Sequence, residues 1–236
     1  MDSTNEEIRR RLTDKITEGE VVIADRQTHG RGRHGRSWHS EPGTGLYLST
    51  LLKPSLPPEG LALITLMAGV ATISAIHQQA SVAARLKWPN DILLNSKKIA
   101  GILCEYVPGC SPAVIIGVGI NLNQTHFPEE IQDIATSLKL ETGKTVNRTD
   151  IILSLLENLD REYGEFLQGK QENLIQKWTE RSDIFGKTVT VLQKGKSLTG
   201  TAVGLTPEGK LVLQNSDGET LVLDSGEVSF QQAASG

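Results

Sequence analysis

Residues 30–38 of the chain read Gly-Arg-Gly-Arg-His-Gly-Arg-Ser-Trp. Three arginines in one short segment are notable because the whole chain is acidic, with 24 Lys and Arg against 28 Asp and Glu. Glycine lets a backbone bend tightly and bring its N–H groups close to a ligand. Arginine carries a permanent charge on a rigid fork that matches phosphate and carboxylate oxygens. The segment therefore predicts a mobile loop that closes over an anion.

Two common nucleotide-binding loops do not fit this segment. The sequence holds no Gly-x-x-x-x-Gly-Lys-Ser/Thr run, which excludes a Walker-type phosphate loop. Gly30, Gly32 and Gly35 occupy the offsets of the G-x-G-x-x-G dinucleotide fingerprint. They lie in a charged run with no apolar helix behind it, so that match is poor.

Length and composition indicate an ordinary globular protein. The 236 residues suffice for one large domain, or for one with a small appendage, and apolar residues make up 38% of them. The most apolar stretch, residues 61–76, falls short of the roughly 18–20 residues that span a bilayer. Without a recognisable secretory signal, we expect a cytoplasmic protein and reduced Cys104 and Cys110, although these two could also bridge a hairpin.

Helices and strands mix along the first three quarters of the chain. Thr4 and Glu7 stand at capping-box spacing, which predicts a helix from this point to about Glu18. Further helices are predicted at residues 61–79, 150–167 and 172–182. The predicted strands cover residues 21–24, 46–53, 85–87, 91–94, 98–106 and 113–122, the last of them at the centre of a sheet.

The pattern changes near residues 183–186. Short strand-like runs at 188–192, 197–205, 210–213 and 220–223 alternate with turns at Gly195, Gly209 and Gly218. This spacing is typical of a five-stranded SH3-like barrel. We therefore predict two domains, residues 1–184 and residues 185–236.

Three more segments carry residue types suited to nucleotide chemistry. They are Lys-Trp-Pro-Asn-Asp at 87–91, Lys-Lys-Ile-Ala-Gly-Ile-Leu at 97–103 and Gly-Val-Gly-Ile-Asn-Leu-Asn at 117–123. Together with the arginine segment, Ser3-Thr4-Asn5, Gln27 and Gly-Leu-Tyr-Leu-Ser at 45–49, they resemble the biotin protein ligases over essentially the whole chain. Each segment alone is weak, and the order and intervals of all of them make the resemblance specific.

The resemblance implies an α+β fold. A mixed β-sheet with flanking helices, related to the class II aminoacyl-tRNA synthetases, would be followed by the small SH3-like barrel. Because the Ser-Thr-Asn motif begins at Ser3, we expect a catalytic-only form without the N-terminal helix-turn-helix of repressor relatives, and no DNA binding. The family's sheet-edge dimers leave a homodimer open for this chain.

The implied reaction is ATP- and Mg²⁺-dependent and has two steps. Biotin's carboxylate attacks the α-phosphate of ATP, which gives biotinyl-5′-AMP and pyrophosphate. A lysine of a biotin carboxyl carrier protein, from acetyl-CoA carboxylase or a related carboxylase, then attacks the anhydride and releases AMP. Neutralising and aligning two anions is the main demand of the first step.

The resemblance also implies the site residues, although it assigns no Mg²⁺ ligand. The implied catalytic residues are Lys98, Arg33 and Asp91. The implied ATP-binding residues are Arg33, Arg36, Trp38, Asn90, Lys98 and Asn121. The implied biotin-binding residues are Ser3, Thr4, Asn5, Gln27, Gly30, Arg31, Arg33, Tyr47, Lys98 and Gly101.

Residue chemistry leaves simpler alternatives open for several of these. Lys98 could bridge biotin's carboxylate and the α-phosphate, or it could be a solvated strand-edge lysine. Trp38 could stack on adenine or pack in the core. Ser3 and Thr4 could contact biotin or only cap a helix. Because the acceptor lysine must lose a proton from a group with a pKa near 10.4, we hypothesise that Asp91 is its base, although a turn-stabilising role would also explain Asp91.

Three of the chain's five histidines, His29, His34 and His39, cluster in or beside the arginine segment. Acidic or cysteine partners at ligand spacing are missing from the sequence there, so we interpret them as loop residues and not as a metal site.

Two other functions compete with the ligase. One is a lipoate or octanoate ligase-like transferase of the same broad fold. The other is a non-catalytic nucleotide-binding module, which the net charge of −4 disfavours.

Overall fold

The computed structural model describes residues 1–12, 16–55, 60–108 and 113–230. Its main sheet has six strands in the order β1-β2-β6-β5-β4-β3, and every neighbouring pair of these strands is antiparallel. Parallel pairing is confined to isolated bridges such as Lys98 with Ala135. The strands are β1 Val21–Ala24, β2 Gly45–Leu52, β3 Arg85–Lys87, β4 Asp91–Leu94, β5 Lys97–Val107 and β6 Ala113–Asn121.

Five helices accompany the sheet, and the first is shorter than predicted. The helices are α1 Thr4–Arg11, α2 Leu61–Ala80, α3 Leu138–Thr142, α4 Arg148–Leu167 and α5 Gln171–Glu180. The prediction that the first helix reaches Glu18 is wrong, because Leu12 already has an extended backbone. Ile8, Leu12 and Ile16 still pack in one small apolar cluster, so burial of these residues does not require a helix that continues past Arg11.

Helix α2 is the apolar centre of the molecule. Its 20 residues make it the one helix, among the described residues, that is long and apolar enough to cross a membrane, but 67% of that stretch is buried inside the protein. A buried core helix of a globular protein can be equally long and apolar, so these two properties of α2 are weak evidence for a membrane span. At Gly69 a Cβ would lie 3.2 Å from Leu86 Cδ2, which shows how closely α2 approaches β3.

A second, antiparallel sheet of five strands follows, as predicted for the C-terminal part. Its order is β10-β9-β8-β7-β11, with β7 Thr188–Gln193, β8 Lys196–Leu205, β9 Leu211–Gln214, β10 Thr220–Leu223 and β11 Glu227–Phe230. The sequence did not locate β11, because only Val228 of its four residues is buried and the run has no clear alternation. The buried Trp88 indole donates to the Gly209 carbonyl, 3.1 Å away, and so ties the two sheets together.

The two faces of the main sheet carry different residues. In β6, Ile116, Val118 and Ile120 face the large core shared with α2. On the opposite face of the same strand stand Gly117 and Gly119. Their lack of side chains leaves room above the centre of the sheet, and the candidate site lies there.

Cys104 packs beside the core and has no disulfide partner among the described residues. Cys110 lies outside the described residues, so the expected reduced state of this pair stays a prediction.

Candidate active site

The arginine segment forms a small β-hairpin. Trp38 N–H donates to the Gly30 carbonyl at 2.8 Å, and Gly32 N–H donates to the Arg36 carbonyl at 2.7 Å. At its tip His34 and Gly35 have φ values of 56° and 75°, the signature of a type I′ turn. Histidine is one of the few residues with a side chain that enters this region readily. The predicted loop therefore has a regular hydrogen-bonded backbone.

Two of the three arginines attach the hairpin to neighbouring elements of the main sheet. Arg31 pairs with Glu6 on α1, and its Nη2 lies 3.5 Å from Glu105 Oε1 on β5. Arg33 Nη1 donates to Asn90 Oδ1 at 3.0 Å, in the turn between β3 and β4. These contacts hold the hairpin over the glycine-lined face of the sheet.

The hairpin also contacts the second sheet. Arg33 Nη1 lies 3.4 Å from the Gly226 carbonyl, and Arg36 forms a two-point ion pair with Glu227 at the start of β11. Burial lowers the pKa of Arg33, although an arginine stays protonated at neutral pH. The hydrogen bonds from Arg36 hold the pKa of Glu227 below its ordinary range.

Beneath the hairpin lies a cleft of about 900 Å³, including its open mouth. Its walls come from the N-terminus of α1, the hairpin, the 87–91 turn, β5, β6 and β11. Twelve residues of the predicted site line it: Ser3, Thr4, Asn5, Gln27, Arg31, Arg33, Arg36, Trp38, Asn90, Asp91, Lys98 and Gly101.

Trp38 lies directly on the floor of the cleft. A Cβ at Gly119 would be 2.6 Å from Trp38 Cε2, and a Cβ at Gly101 would be 2.9 Å from Trp38 Cζ3. Glycine at these two positions therefore allows the indole to sit on the sheet. Among the described residues, the buried Nε1–H of Trp38 has no hydrogen-bond partner. A buried donor that is unpaired in the ligand-free protein is suited to a ligand acceptor.

Lys98 is the central cation of the cleft. Its Nζ lies 2.6 Å from Asp91 Oδ1 and 5.4 Å from the centroid of the Trp38 ring. The Lys98 and Asp91 side chains are 34% and 24% exposed, so both can still reach a ligand. The ion pair and the cation–π contact hold the ammonium at the foot of the hairpin.

A neutral polar cluster lies at the other end of the cleft. Thr4 N–H and Oγ1 both approach Gln27 Oε1, at 2.8 and 3.1 Å. Ser49 Oγ lies 2.6 Å from Thr4 Oγ1 and 2.5 Å from Asn5 Oδ1, and Asn5 Nδ2 donates to Glu105 at 2.8 Å. The predicted capping box fails here, because the Thr4 hydroxyl is used by Gln27. The cleft thus combines this polar cluster, which Arg31 approaches through Glu105, with the Lys98–Asp91 pair and Arg33.

The comparisons with known proteins agree with this geometry. Residues 1–121 match the model of the biotin/lipoate A/B protein ligase family, and residues 184–231 match the biotin protein ligase C terminal domain. The chain belongs to the biotin/lipoate A/B protein ligase family. Both predictions made from the resemblance, the family and the α+β fold with its small C-terminal sheet, are confirmed.

Several members of the family are similar over most of the chain. A bifunctional ligase/repressor BirA of Bacillus subtilis is 35% identical over 92% of this chain and 68% of its own length. A biotin–[acetyl-CoA-carboxylase] ligase of Mycobacterium tuberculosis is 35% identical over 89% of this chain and 79% of its own. The structure of the Aquifex aeolicus biotin protein ligase in complex with biotin and ATP superposes with a TM-score of 0.86, at 34% identity, over 98% of this chain and 96% of that one.

Three predicted site residues lie outside the cleft lining as the described residues define it. Gly30 faces the backbone of Trp38, where a Cβ would lie 2.6 Å from the carbonyl, so glycine serves the hairpin there. Tyr47 is buried with its hydroxyl at the Glu41 backbone. Asn121 is buried and donates to the Thr136 carbonyl at 3.0 Å. We do not expect these three residues to contact a ligand directly. Protein groups already bond the Tyr47 and Asn121 side chains, and the Trp38 backbone fills the space beside Gly30.

Sequence reasoning missed several residues of the cleft. They are chiefly Lys87, Leu103, Gly117, Gly119, Gly226 and Glu227. The Gly-x-Gly spacing of β6 was visible in the sequence and could have indicated an emptied sheet face, since alternate residues share one face. Glu227 had no local signal, because it is distant in sequence and reaches the cleft only through the packing of the second sheet.

The histidines of the segment form no common site in the structure. His29 and His34 are exposed, whereas His39 packs edge-on against the Phe127 ring at 6.4 Å. Across the described residues, no group of three or more His, Cys, Asp or Glu side chains is arranged to hold a metal ion.

Proposed function

We propose that the chain is a biotin–protein ligase. It would activate biotin as biotinyl-5′-AMP with ATP and transfer the biotin to a lysine of a biotin carboxyl carrier protein of acetyl-CoA carboxylase or a related carboxylase. The observation that carries the proposal is the cleft itself. It joins the neutral Thr4–Gln27 cluster to the Lys98–Asp91 pair and Arg33 under one hairpin.

Biotin fits this arrangement in one orientation. Its ureido ring needs a few donors and acceptors, its ring system and tail need apolar walls, and its carboxylate needs a cation. The Thr4–Gln27 end offers the first and Lys98 offers the last, with Trp38 and Leu103 among the residues between them. The similar Aquifex aeolicus enzyme, which has been solved with biotin and ATP, supports the same two ligands for this chain.

In the first step a carboxylate oxygen of biotin attacks the α-phosphorus, and pyrophosphate leaves with its bonding electrons. Lys98 would hold both anions, and Arg33 and Arg36 would neutralise the phosphates. Such a transfer depends mainly on positioning and on charge stabilisation. Arg36 is paired with Glu227, so the nucleotide would have to share or replace that carboxylate.

In the second step the neutral amine of the acceptor lysine attacks the acyl carbon, and AMP leaves. Asp91 remains our candidate for the group that takes the proton. Its position 2.6 Å from Lys98 Nζ adds a second role, since it also holds the cation that binds biotin's carboxylate.

Mg²⁺ is expected to enter with ATP. This ion is commonly held by one or two carboxylates together with substrate phosphates, and not by a dedicated protein cage. Asp91 and Glu227 are carboxylates that line the cleft, and the donor set therefore fits a phosphate-bound ion. Mg²⁺ would supply charge neutralisation to the phosphates.

We favour biotin over lipoate or octanoate because the C-terminal residues match a domain specific to biotin protein ligases. A non-catalytic module would have no use for the Thr4–Gln27 cluster. We further propose the two domains 1–184 and 185–236 and a cytoplasmic location without membrane association. A homodimer stays open.

The test is incubation of the protein with biotin, Mg-ATP and a carrier domain, followed by mass spectrometry of the acceptor. We expect the mass of one biotinyl group on one lysine, and no gain when ATP is omitted. An unmodified carrier domain would refute the proposal, and modification by lipoate in preference to biotin would favour the alternative.

The two roles of Asp91 can be separated by Asp91→Asn. If Asp91 only holds Lys98, adenylate formation and biotin transfer should slow by similar factors. If it is also the base, transfer should slow more than adenylate formation, and this is the result we expect. Single-turnover rates for each step, with preformed biotinyl-5′-AMP supplied for the second, give the comparison. A loss confined to transfer would instead establish Asp91 as the base alone.

A further inference from the structure

The direction of Lys98 depends on an irregularity in β5. Along a regular strand, alternate residues share a face, so Gly101 on the cleft face would place Ile99 there and turn Lys98 toward the core. The pairing with β4 skips a residue, since Ile92 faces Ala100 and Leu93 faces Lys98. This bulge buries both Ile99 and Ala100 in the core and turns Lys98 into the cleft.

A separate segment holds the backbone of the bulged strand. Lys98 N–H donates to the Ile134 carbonyl at 2.7 Å, and Thr136 N–H donates to the Lys98 carbonyl at 3.0 Å. Residues 134–136 therefore pair with Lys98 through an isolated parallel β-bridge between Lys98 and Ala135. Asn121 fixes the same segment by donating to the Thr136 carbonyl at 3.0 Å.

Glu141 accepts a hydrogen bond from this segment and lies outside the cleft lining. It lies on α3, and its Oε1 accepts from Thr136 Oγ1 at 2.5 Å. Its Oε2 accepts from Asn95 Nδ2, also at 2.5 Å, in the turn that joins β4 to β5. Thr136 is only 2% exposed, so its hydroxyl depends on a protein acceptor. One carboxylate thus connects both segments that flank Lys98.

We propose that Glu141 is a positioning residue for Lys98. By fixing Thr136 and the 95–96 turn, it keeps the bulge in register and Lys98 Nζ in the cleft beside Asp91. It acts through Lys98 and does not line the cleft itself. The effect on catalysis rests on the proposed function, whereas the effect on the backbone at Lys98 does not.

The first test compares Glu141→Ala with Glu141→Gln, which keeps an oxygen acceptor for Thr136. Glu141→Ala should slow adenylate formation by roughly ten- to a hundredfold, because a displacement of about 1 Å can cost on the order of a hundredfold. Glu141→Gln should lose much less than Glu141→Ala, because it keeps the acceptor for Thr136 and its amide N–H can bond Asn95 once the Asn95 amide turns over. Glu130→Ala, which removes an exposed carboxylate from the same region, should stay close to wild type.

Two further measurements separate positioning from general destabilisation. In a Lys98→Ala background, Glu141→Ala should cause no additional loss of adenylate formation, because the residue it acts through is gone. Hydrogen exchange at the Lys98 amide should quicken in Glu141→Ala and not in Glu141→Gln. A loss of equal size in the Lys98→Ala background, or unchanged exchange at Lys98, would overturn the proposal. If the wild type formed no biotinyl-5′-AMP, the proposed function would fail, and hydrogen exchange would still decide the role of Glu141.

Discussion

Arg33 connects three parts of the molecule through one side chain. From the hairpin it reaches Asn90 in the 87–91 turn and the Gly226 carbonyl before β11, while its charge stands over the cleft. The resemblance to the biotin protein ligases implies that Arg33 binds both ATP and biotin. The contacts add a mechanical role, because the same guanidinium holds the hairpin down over the place where an acyl-adenylate would form.

Arg33→Gly should therefore still form biotinyl-5′-AMP but release it. An adenylate that escapes acylates exposed lysines without a docking partner, so bystander proteins should become biotinylated. The measurements are retention of labelled adenylate after gel filtration and mass spectrometry of an added bystander protein. Arg33→Lys, which keeps the charge and loses the fork, should fall between wild type and the glycine variant. Complete loss of adenylate formation would instead show that charge neutralisation is the main task of Arg33.

At the scale of elements, the hairpin of residues 30–38 is a part whose own sequence specifies its backbone. Its tip needs two successive residues with positive φ, and His34-Gly35 supplies them. Helix α1 is the contrasting case, since the capping-box spacing of Thr4 and Glu7 predicted a helix to about Glu18, whereas Leu12 already has an extended backbone. A local sequence pattern therefore predicts the structure where the requirement is a backbone conformation, such as positive φ at the hairpin tip.

The hairpin tip gives a prediction of its own. His34→Val places a β-branched residue at positive φ, which costs about 1–2 kcal/mol. We expect the KM for ATP to rise by up to about five- to thirtyfold, because the strain favours an opened hairpin, and Tm to fall by no more than about 2–8 °C. His34→Asn, which tolerates the same backbone, is the matched control. Equal losses in both variants would mean that the imidazole matters and the turn does not.

At the scale of the whole molecule, the second sheet completes the cleft. Arg36 and Glu227 join the hairpin to β11 by an ion pair whose side chains are 63% and 42% exposed. Exposed pairs of this kind contribute at most about 1 kcal/mol to stability. The pair is therefore better suited to guiding the approach of hairpin and sheet than to holding the fold.

The contribution of this pair should depend on pH. The pKa of Glu227 is lower in the folded protein, so its stabilisation is present at neutral pH and is lost as pH falls through that folded-state value, below the ordinary pKa of about 4.3. Glu227→Gln should lower Tm by at most about 2–4 °C at pH 7, and the difference should shrink as pH falls below the ordinary carboxyl pKa of about 4.3. Thermal melts across this range, with Glu130→Gln as control, provide the measurement. A difference from wild type that is constant with pH would rule out the ionic contribution.

The sequence by itself determined the family, the order and type of nearly all elements, and most of the polar residues of the cleft, because these depend on local patterns and closely spaced motifs. Only the tertiary structure decided where Asn121 and Tyr47 point, that Glu227 enters the cleft and that Glu141 stands behind Lys98. These facts depend on a bulge that reverses the facing of β5 and on contacts between segments far apart in the chain, from Arg36 to Glu227. Such contacts leave no mark in local periodicity, because they arise only when the two sheets and α3 pack together.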